Sequence, residues 1–241
     1  MKVVLPMAGR GSRFSKEGVV TPKPLIKVHG KPMIWWALQS LIGITYSKLI
    51  VVALLEHEKK YGIRDIFSKM GYHDVEYVFL NDVTEGQLCT VLTARHLIND
   101  EGDILITSSD TYVISNLGKD IVRKPDRCYG IISVANMPGE QWSFARTDYG
   151  DKVIEVAEKI RISDNASTGL YYFSNGVKFL EVADDLIAEG CKTKGEYYVI
   201  PVYQRFIDRG WNVHISKAKE MWDLGTPENL DYFEKMTSGG C

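Results

Sequence analysis

The first 25 residues constrain the fold of this chain most strongly, because a short apolar run leads directly into a glycine-rich segment. Residues 3–5 have the length and composition of a buried strand. Gly9 and Gly11 follow, and glycine lets the backbone approach a ligand closely. Arg13 and Lys23 add positive charge, and inward-turned backbone N–H groups in such a loop can wrap a polyphosphate. The stretch therefore predicts an anion-binding loop after the first strand.

Three other interpretations of this loop are weaker. A P-loop requires Gly-x-x-x-x-Gly-Lys-Ser/Thr, a run that the sequence does not contain. A dinucleotide-binding loop requires a third glycine where Phe14 stands and an acid about 20 positions on, but residues 29–36 contain none. A plain surface turn does not explain why Lys23 is fixed between two prolines, which are rigid residues.

Composition limits the class of protein. A chain of 241 residues with 45% hydrophobic and 25% charged residues is typical of a globular protein with a sizeable core. A net charge of -2 argues against nucleic-acid or membrane partners. Four scattered cysteines, without a Cys-x-x-Cys pair, favour a reducing cytoplasm over zinc or disulfides. Residues 1–25 do not resemble a signal peptide, and no run of 18 apolar residues occurs.

The hydrophobic pattern alternates between strands and helices. It predicts strands at 48–55, 75–80, 103–110 and 129–135, a hairpin at 143–157, and helices at 32–41, 56–70, 88–98 and 196–209. This alternation predicts an α/β fold, in which a mostly parallel sheet carries helices on both faces and binds ligands at the carboxyl ends of its strands. We expect residues 1–236 to form a single domain and residues 237–241 to form a tail.

Three segments together resemble the signature of the sugar-phosphate nucleotidylyltransferases: residues 5–13, 22–25 and 30–34. Members of this family join a nucleoside triphosphate to a phosphorylated acceptor and release pyrophosphate. The resemblance implies a Rossmann-like, mixed and mostly parallel sheet of the nucleotidyltransferase (GT-A-like) architecture. The family loop usually reads Leu-Ala-Gly-Gly-x-Gly-Thr-Arg. Pro6-Met7-Ala8 and Ser12 depart from it and are closer to the capsule and small-molecule cytidylyltransferases, which favours CTP.

The resemblance also implies roles for individual residues. Arg13 and Lys23 are the expected catalytic cations, Arg13 on the leaving pyrophosphate and Lys23 on the α-phosphate. Asn81 matches a position where an amide side chain pairs with the base edge. The expected nucleotide-binding residues are Leu5, Ala8, Gly9, Gly11, Ser12, Asn81, Glu85 and Gly86. A plain turn before a helix remains the alternative for residues 81–87.

Two acids are candidate metal ligands. Asp110 ends the strand predicted at 103–110, and a carboxylate there, facing a phosphate loop, suits magnesium because this ion prefers hard oxygen ligands. Asp223 lies in residues 221–228, which resemble the second metal-binding stretch of the family. We therefore expect Mg²⁺ as the cofactor, held by Asp110 and Asp223.

The region between the two acids is the expected acceptor site. The Glu158-Lys159 pair resembles the family dipeptide whose lysine holds the acceptor phosphate, although Ile160 replaces the usual proline. The resemblance adds Thr168 and Gly169, where the acceptor lies against the backbone, and Glu196. The acceptor is either a sugar phosphate or another phosphomonoester, such as phosphocholine or a phosphorylated amino-acid derivative, activated for a capsule or other surface polysaccharide.

Two other functions stay open at this point. A GT-A-type glycosyltransferase usually has an Asp-x-Asp pair, whereas residues 108–112 contain only Asp110. A nucleotide-sensing pseudo-enzyme has no need of a second metal ligand such as Asp223. The expected partners are a nucleoside triphosphate and a small phosphorylated acceptor, and a homo-oligomer is compatible with the sequence.

Overall fold

The computed structural model describes residues 1–238, which contain thirteen strands and ten helices. The strands are β1 (Lys2–Pro6), β2 (Lys27–Val28), β3 (Lys31–Pro32), β4 (Lys48–Leu54), β5 (Val75–Leu80), β6 (Ile104–Ile106), β7 (Thr111–Ile114), β8 (Cys128–Ala135), β9 (Ser143–Thr147), β10 (Val153–Glu158), β11 (Ala166–Phe173), β12 (Asn212–Lys217) and β13 (Glu220–Asp223). The helices are α1 (Ser12–Lys16), α2 (Met33–Gln39), α3 (Leu55–Tyr61), α4 (Ile63–Lys69), α5 (Gln87–Leu92), α6 (Arg95–Ile98), α7 (Leu117–Val122), α8 (Gly176–Ala188), α9 (Ile200–Asp208) and α10 (Pro227–Thr237), and Lys23–Leu25 forms a 3-10 turn.

One mixed sheet forms the centre of the fold. Its main path runs β10-β9-β11-β6-β1-β4-β5, and β8 and β12 extend it from β11. Strands β6, β1, β4 and β5 are parallel, whereas β11 is antiparallel to β6, β8 and β9. The predicted α/β fold with a mixed, largely parallel sheet is therefore confirmed.

The core lies on both faces of this sheet. Val4 packs with Phe173, Phe179 and Tyr203 on the face covered by α5, α8 and α9. Val3 and Leu5 point to the other face, where α2, α4 and α7 pack. Successive side chains of a strand alternate between faces, and parallel strands buried on both sides read as continuous apolar runs. This explains why residues 3–5 and 49–54 are apolar throughout.

Three predicted helices have different boundaries in the structure. The helix expected at 56–70 is divided into α3 and α4 by Gly62, whose φ of 67° ends the first helix. The helix expected at 88–98 is likewise two helices, α5 and α6. The helix expected from Glu196 begins at Ile200. The backbone of Tyr197 instead bonds to Glu85 O and Leu88 N, which keeps this segment extended beside the loop before α5.

Helix α10, at the end of the described chain, packs against residues that follow the glycine-rich loop. Phe233 and Leu230 pack with Phe14 and Met33 in a small separate cluster. Thr237, which we assigned to the tail, is the last residue of α10, and its hydroxyl lies 2.7 Å from Nε2 of His29. The rest of the predicted tail from residue 239 onward lies outside the described residues.

None of the helices described in residues 1–238 has both the length and the apolar character needed to cross a bilayer. Cys89, Cys128 and Cys191 carry free thiols. Cys241 lies outside the described part of the chain.

Candidate active site

The glycine-rich loop after β1 forms one wall of a cavity of about 530 Å³. This loop lies close against the 3-10 turn that carries Lys23. A Cβ atom at position 11 would stand 2.9 Å from Cβ of Lys23, and Gly11 also has a φ of 61°. Glycine is therefore required at this position on two grounds. The other walls come from the loop before α5 and from the segment after β6, and the lining residues include Ala8, Gly9, Ser12, Lys23, Gly86, Asp110 and Glu196.

Lys23 and Asp110 form a half-buried ion pair at the floor of this first cavity. The prolines on both sides of Lys23 fix its backbone, and Leu25 N donates to Pro22 O at 2.8 Å within the 3-10 turn. Burial alone raises the pKa of the Asp110 carboxyl. The charge and hydrogen bond of Lys23, the Ser108 hydroxyl and the charge of Arg13 outweigh this effect and bring the pKa below its ordinary value. Asp110 is therefore ionised at neutral pH.

Asp110 and Asp223 lie side by side because β7 and β13 form a two-stranded antiparallel ladder. Asp223 pairs with Thr111 in this ladder, and Leu224 N donates to Asp110 O at 2.8 Å. Burial raises the pKa of Asp223, and the negative charge of Asp110 raises it further. The second acid is therefore held next to the first although it is distant in sequence.

The two carboxylates fit a magnesium ion. A Cβ atom at Gly225 would lie 2.8 Å from Oδ1 of Asp223 and 3.2 Å from Oδ2 of Asp110, so glycine keeps the space beside both groups open. No group of three or more His, Cys, Asp or Glu residues in the described chain could hold a metal ion. Magnesium is often bound by one or two carboxylates together with water and substrate phosphates. Asp110 and Asp223 suit that type of site.

Asp223 is held by two contacts that the sequence did not predict. Its Oδ1 accepts a hydrogen bond from Gly225 N at 2.8 Å, and its Oδ2 accepts one from Nδ2 of Asn229 at 2.6 Å. Asn229 lies in the first turn of α10, which Thr226 caps through a bond from Asn229 N to its hydroxyl. The start of α10 therefore fixes the orientation of this carboxylate.

A second cavity of about 270 Å³ adjoins the first and shares Gln87, Ser108 and Tyr198 with it. Arg13, Lys159, Thr168 and Gly169 line the second cavity. The charge of Arg13 also lowers the pKa of Asp110, which lines the first cavity. Lys23 and Asp110 thus line the first cavity, and Arg13 and Lys159 line the second.

Lys159 is placed by an unusual backbone. Its φ of 57° is in the left-handed region, which non-glycine residues seldom adopt, and its N–H donates to Trp142 O at 2.9 Å. Its ammonium donates to the hydroxyl of Tyr198 and lies 4.3 Å from the centre of that ring. Such strain is often concentrated at functional sites, which supports the predicted role of Lys159.

Hydroxyl groups and one carboxyl group line the rest of the second cavity. Burial raises the pKa of Glu158, which accepts a hydrogen bond from the Ser143 hydroxyl. The buried Thr168 hydroxyl has no hydrogen-bond partner within residues 1–238. An unpaired buried hydroxyl is costly, and a ligand with polar groups would satisfy it. Gly169, with a φ of 83°, also allows close contact with Ser108, because a Cβ would lie 2.8 Å from the Ser108 Cβ.

Six predicted residues do not lie where their assigned roles would place them. Arg13, assigned to the leaving pyrophosphate, lines the second cavity and not the first, and Asp223, although it lies beside Asp110, lines neither cavity. Leu5 is fully buried in the core beneath the loop. Asn81 and Glu85 are exposed and do not line either cavity, and Glu85 pairs with Lys192 at 2.9 Å. Glu196, assigned to the acceptor, lines the first cavity and not the second.

Other residues occupy the positions that Asn81 and Glu85 leave. Val83, Thr84 and Gln87 line the first cavity on the side of this loop, and Tyr198 borders both cavities. Two of these residues could have been found from the sequence. Gln87 supplies an amide directly after Gly86, and Tyr198 follows Glu196 within the predicted acceptor segment.

Replacing Gly86 with alanine is expected to lower the melting temperature by about 5–10 °C. Gly86 has a φ of 133°, and an added Cβ would overlap Tyr197 O and lie 2.6 Å from Tyr197 N. Strain and overpacking of this kind cost about 2–3 kcal/mol, and about 1 kcal/mol changes the melting temperature of a chain of this size by about 2–4 °C. Thermal unfolding followed by circular dichroism measures the change.

Gly190→Ala is the matched control, because Gly190 has a φ of 70° but no atom within 4 Å of an added Cβ. It reports the cost of the backbone conformation alone. Equal melting temperatures for the two variants would contradict the proposed clash with Tyr197.

Comparison with known proteins supports the family that the sequence resembles. A family model described as nucleotidyl transferase matches residues 2–237. The bifunctional protein GlmU of Aquifex aeolicus is 24% identical over 265 residues, which cover 95% of this chain and 53% of that protein. The chain thus spans about half the length of the GlmU proteins that it matches.

Two shorter relatives are named for sugar-phosphate chemistry. The UTP–glucose-1-phosphate uridylyltransferase AglF of Haloferax volcanii is 25% identical over 245 residues, covering 98% of this chain and 96% of that protein. The glucose-1-phosphate cytidylyltransferase of Salmonella typhimurium is 46% identical over 79 residues, which are 33% of this chain and 30% of that protein.

A solved structure has the same fold over nearly the whole chain. The nucleoside-diphosphate-sugar pyrophosphorylase from Vibrio cholerae RC9 superimposes with a TM-score of 0.84 at 27% identity, covering 97% of this chain and 99% of that one. Together with the family match over residues 2–237, this likeness shows that the chain belongs to the nucleotidyl transferase family.

Proposed function

We propose that this chain is a magnesium-dependent nucleotidyltransferase that joins a nucleoside triphosphate, with CTP favoured, to a small phosphorylated acceptor and releases pyrophosphate. The observation that supports the proposal is the ion pair of Lys23 with Asp110 in the first cavity, with Asp223 held beside Asp110 and a second cavity adjoining the first. The first cavity, with its glycine-rich wall, is assigned to the nucleotide. The second cavity, with Lys159 and Thr168, is assigned to the acceptor.

Charge is the main obstacle to such a reaction, because both substrates are anions. Two unit charges about 4 Å apart repel each other by roughly 4 kcal/mol at an effective dielectric constant near 20. Lys23 lies on the first cavity, and Arg13 and Lys159 lie on the second. Each cavity therefore has at least one cation for its substrate, and catalysis in this proposal consists mainly of positioning and charge neutralisation.

In the proposed reaction, an oxygen of the acceptor phosphate attacks the α-phosphorus while the bond from the α-phosphorus to the bridging oxygen of pyrophosphate breaks. An ionised phosphate is nucleophilic near neutral pH, so the reaction does not require a general base. Lys23 is assigned to the α-phosphate and Lys159 to the acceptor phosphate. Arg13 lines the second cavity and not the first, so we assign it to the acceptor phosphate and not to the leaving pyrophosphate that the resemblance implies.

Asp110 and Asp223 are assigned to magnesium. When bound, the ion supplies positive charge at the phosphate oxygens that react. Asp223 is expected to need the ion more than Asp110 does, because Asp110 already has Lys23 as a partner. Burial raises the pKa of Asp223, and the negative charge of Asp110 raises it further.

The preference for CTP is supported by the loop variant Pro6-Met7-Ala8 and by the 46% identity with a cytidylyltransferase over 79 residues. AglF, which covers nearly the whole chain, is named for UTP, so a pyrimidine is the common element of these two names. The acceptor is a sugar phosphate or another phosphomonoester. We propose that the product is an activated precursor for a capsule or other surface polysaccharide made in the cytoplasm.

A pyrophosphate-release assay tests this function. It crosses four nucleoside triphosphates with a panel of sugar 1-phosphates, phosphocholine and phosphorylated amino alcohols, each with and without magnesium. We expect release only when magnesium, a pyrimidine triphosphate and one class of acceptor are all present, with CTP giving the highest turnover.

Two outcomes would contradict the proposal. Nucleotide binding without pyrophosphate release from any pair would indicate a sensor. Transfer of sugar from a nucleotide sugar, without pyrophosphate among the products, would indicate a glycosyltransferase.

A further inference from the structure

An ion pair joins the two loops that border the first cavity. Nη2 of Arg10 donates to Oδ1 of Asp82 at 2.7 Å. Arg10 belongs to the loop after β1, and Asp82 belongs to the loop after β5. Because β4 lies between β1 and β5 in the sheet, this contact passes over the carboxyl end of β4 and connects loops whose strands are not neighbours.

The contact is anchored on both sides of the cavity. Arg10 lines the cavity between Gly9 and Gly11, and Val83 and Thr84 line it directly after Asp82. Oδ1 of Asp82 also accepts a hydrogen bond from Val83 N at 2.7 Å. The carboxylate is therefore fixed to its own loop while it holds the guanidinium of the other loop.

We propose that Arg10 and Asp82 form a clasp that sets the distance between the phosphate side of the nucleotide cavity (residues 6–12) and its base side (residues 83–87), and so retains the bound nucleotide. This inference rests on the proposed nucleotide-binding function. Arg10 stands at the variable position of the family loop pattern, between the two glycines, so the clasp is a feature of this sequence and not part of the shared signature.

The charges near Arg10 favour this role over a direct contact with phosphate. Its hydrogen bond and charge interaction with Asp82 raise the pKa of the guanidinium, and Glu56 at the start of α3 adds a weaker contribution of the same sign. The positive charge of Arg10 is therefore already paired with the carboxylate of Asp82. Lys23, by comparison, lies at the floor of the first cavity.

The exposure of the Arg10 and Asp82 side chains sets the size of the expected effect on nucleotide binding. The side chains of Arg10 and Asp82 are 67% and 71% exposed, and exposed ion pairs contribute little energy. We therefore expect loss of the pair to raise the KM for the nucleotide about three- to fivefold. The kcat and the KM for the acceptor should stay within about twofold of the parent, because neither residue lines the second cavity.

The test is a double-mutant cycle on the full chain. Arg10→Ala, Asp82→Ala and the double variant are compared with the parent for nucleotide KM, acceptor KM and kcat, and nucleotide affinity is also measured by titration calorimetry. A clasp predicts that each single variant raises the nucleotide KM equally and that the double variant is no worse than either. Lys217→Ala is the matched control, because Lys217 forms a similarly exposed ion pair with Asp151 at 2.8 Å and lines neither cavity.

Two patterns would overturn the clasp while leaving the proposed function in place. If Arg10→Ala raises the nucleotide KM but Asp82→Ala leaves it unchanged or lowers it, Arg10 contacts the phosphates directly. If both variants match the parent and Lys217→Ala, the contact has no role. A parent that neither binds nor turns over any nucleotide would overturn both the clasp and the proposed function.

Discussion

Lys23→Ala is expected to reduce turnover by about two orders of magnitude or more, which corresponds to about 2.7 kcal/mol of lost transition-state stabilisation. Lys23 carries the fixed positive charge on the floor of the nucleotide cavity and pairs with Asp110. Its neighbours Pro22 and Pro24 fix the backbone that carries it. Steady-state pyrophosphate release measures the loss.

Lys27→Ala is the control for this variant, since Lys27 is exposed on β2 only four residues away. We expect it to retain the turnover of the parent. Circular dichroism and the melting temperature of Lys23→Ala establish whether the fold is preserved. Turnover within tenfold of the parent in a folded Lys23→Ala variant would exclude the role assigned to this lysine.

Asp110→Asn is expected to have an effect of similar size for a different reason. The change keeps the shape of the side chain and a partner for the Ser108 hydroxyl, but it removes the negative charge that we assign to magnesium. It also removes the repulsion that raises the pKa of Asp223. We therefore expect a folded protein whose turnover falls by about two orders of magnitude.

Metal binding provides an independent measurement for this variant. Titration of the nucleotide complex with Mn²⁺, followed by electron paramagnetic resonance, should show weaker binding in Asp110→Asn and unchanged binding in Asp126→Asn, an exposed loop variant. Equal Mn²⁺ affinity in the parent and Asp110→Asn would mean that Asp110 is not a ligand, whatever its effect on turnover.

The central strands and the glycine-rich loop were predictable because their signals are local. Residues 3–5 and 49–54 are continuous apolar runs because they are buried on both faces of a parallel sheet. The break between α3 and α4 at Gly62 could also have been predicted, because a glycine inside a helical pattern weakens the prediction of one continuous helix.

The prediction that Asp110 and Asp223 lie together rested on family resemblance, because no local sequence pattern indicates it. The ladder between β7 and β13 joins two four-residue strands that are far apart in sequence, and only some of their side chains are buried. Short, half-exposed strands of this kind have little periodicity, and pairing between them cannot be derived from spacing.

Side-chain direction limited the prediction of the nucleotide contacts. The spacing of Asn81 from Gly86 placed an amide near the base, but Asn81 is exposed after the end of β5, and Gln87 lines the cavity. The early start predicted for α9 has a similar origin. The extended backbone of Tyr197 is set by hydrogen bonds to Glu85 and Leu88, which the sequence near Tyr197 does not reveal.

The most direct test of the account is a crystal structure with a non-hydrolysable α,β-methylene triphosphate and Mn²⁺, with the metal located by its anomalous signal. The account predicts a triphosphate along residues 8–13, its α-phosphate beside Lys23, and a metal ion within about 2.0–2.3 Å of carboxylate oxygens of both Asp110 and Asp223. A triphosphate bound away from Lys23, or a metal ion that contacts neither acid, would contradict it.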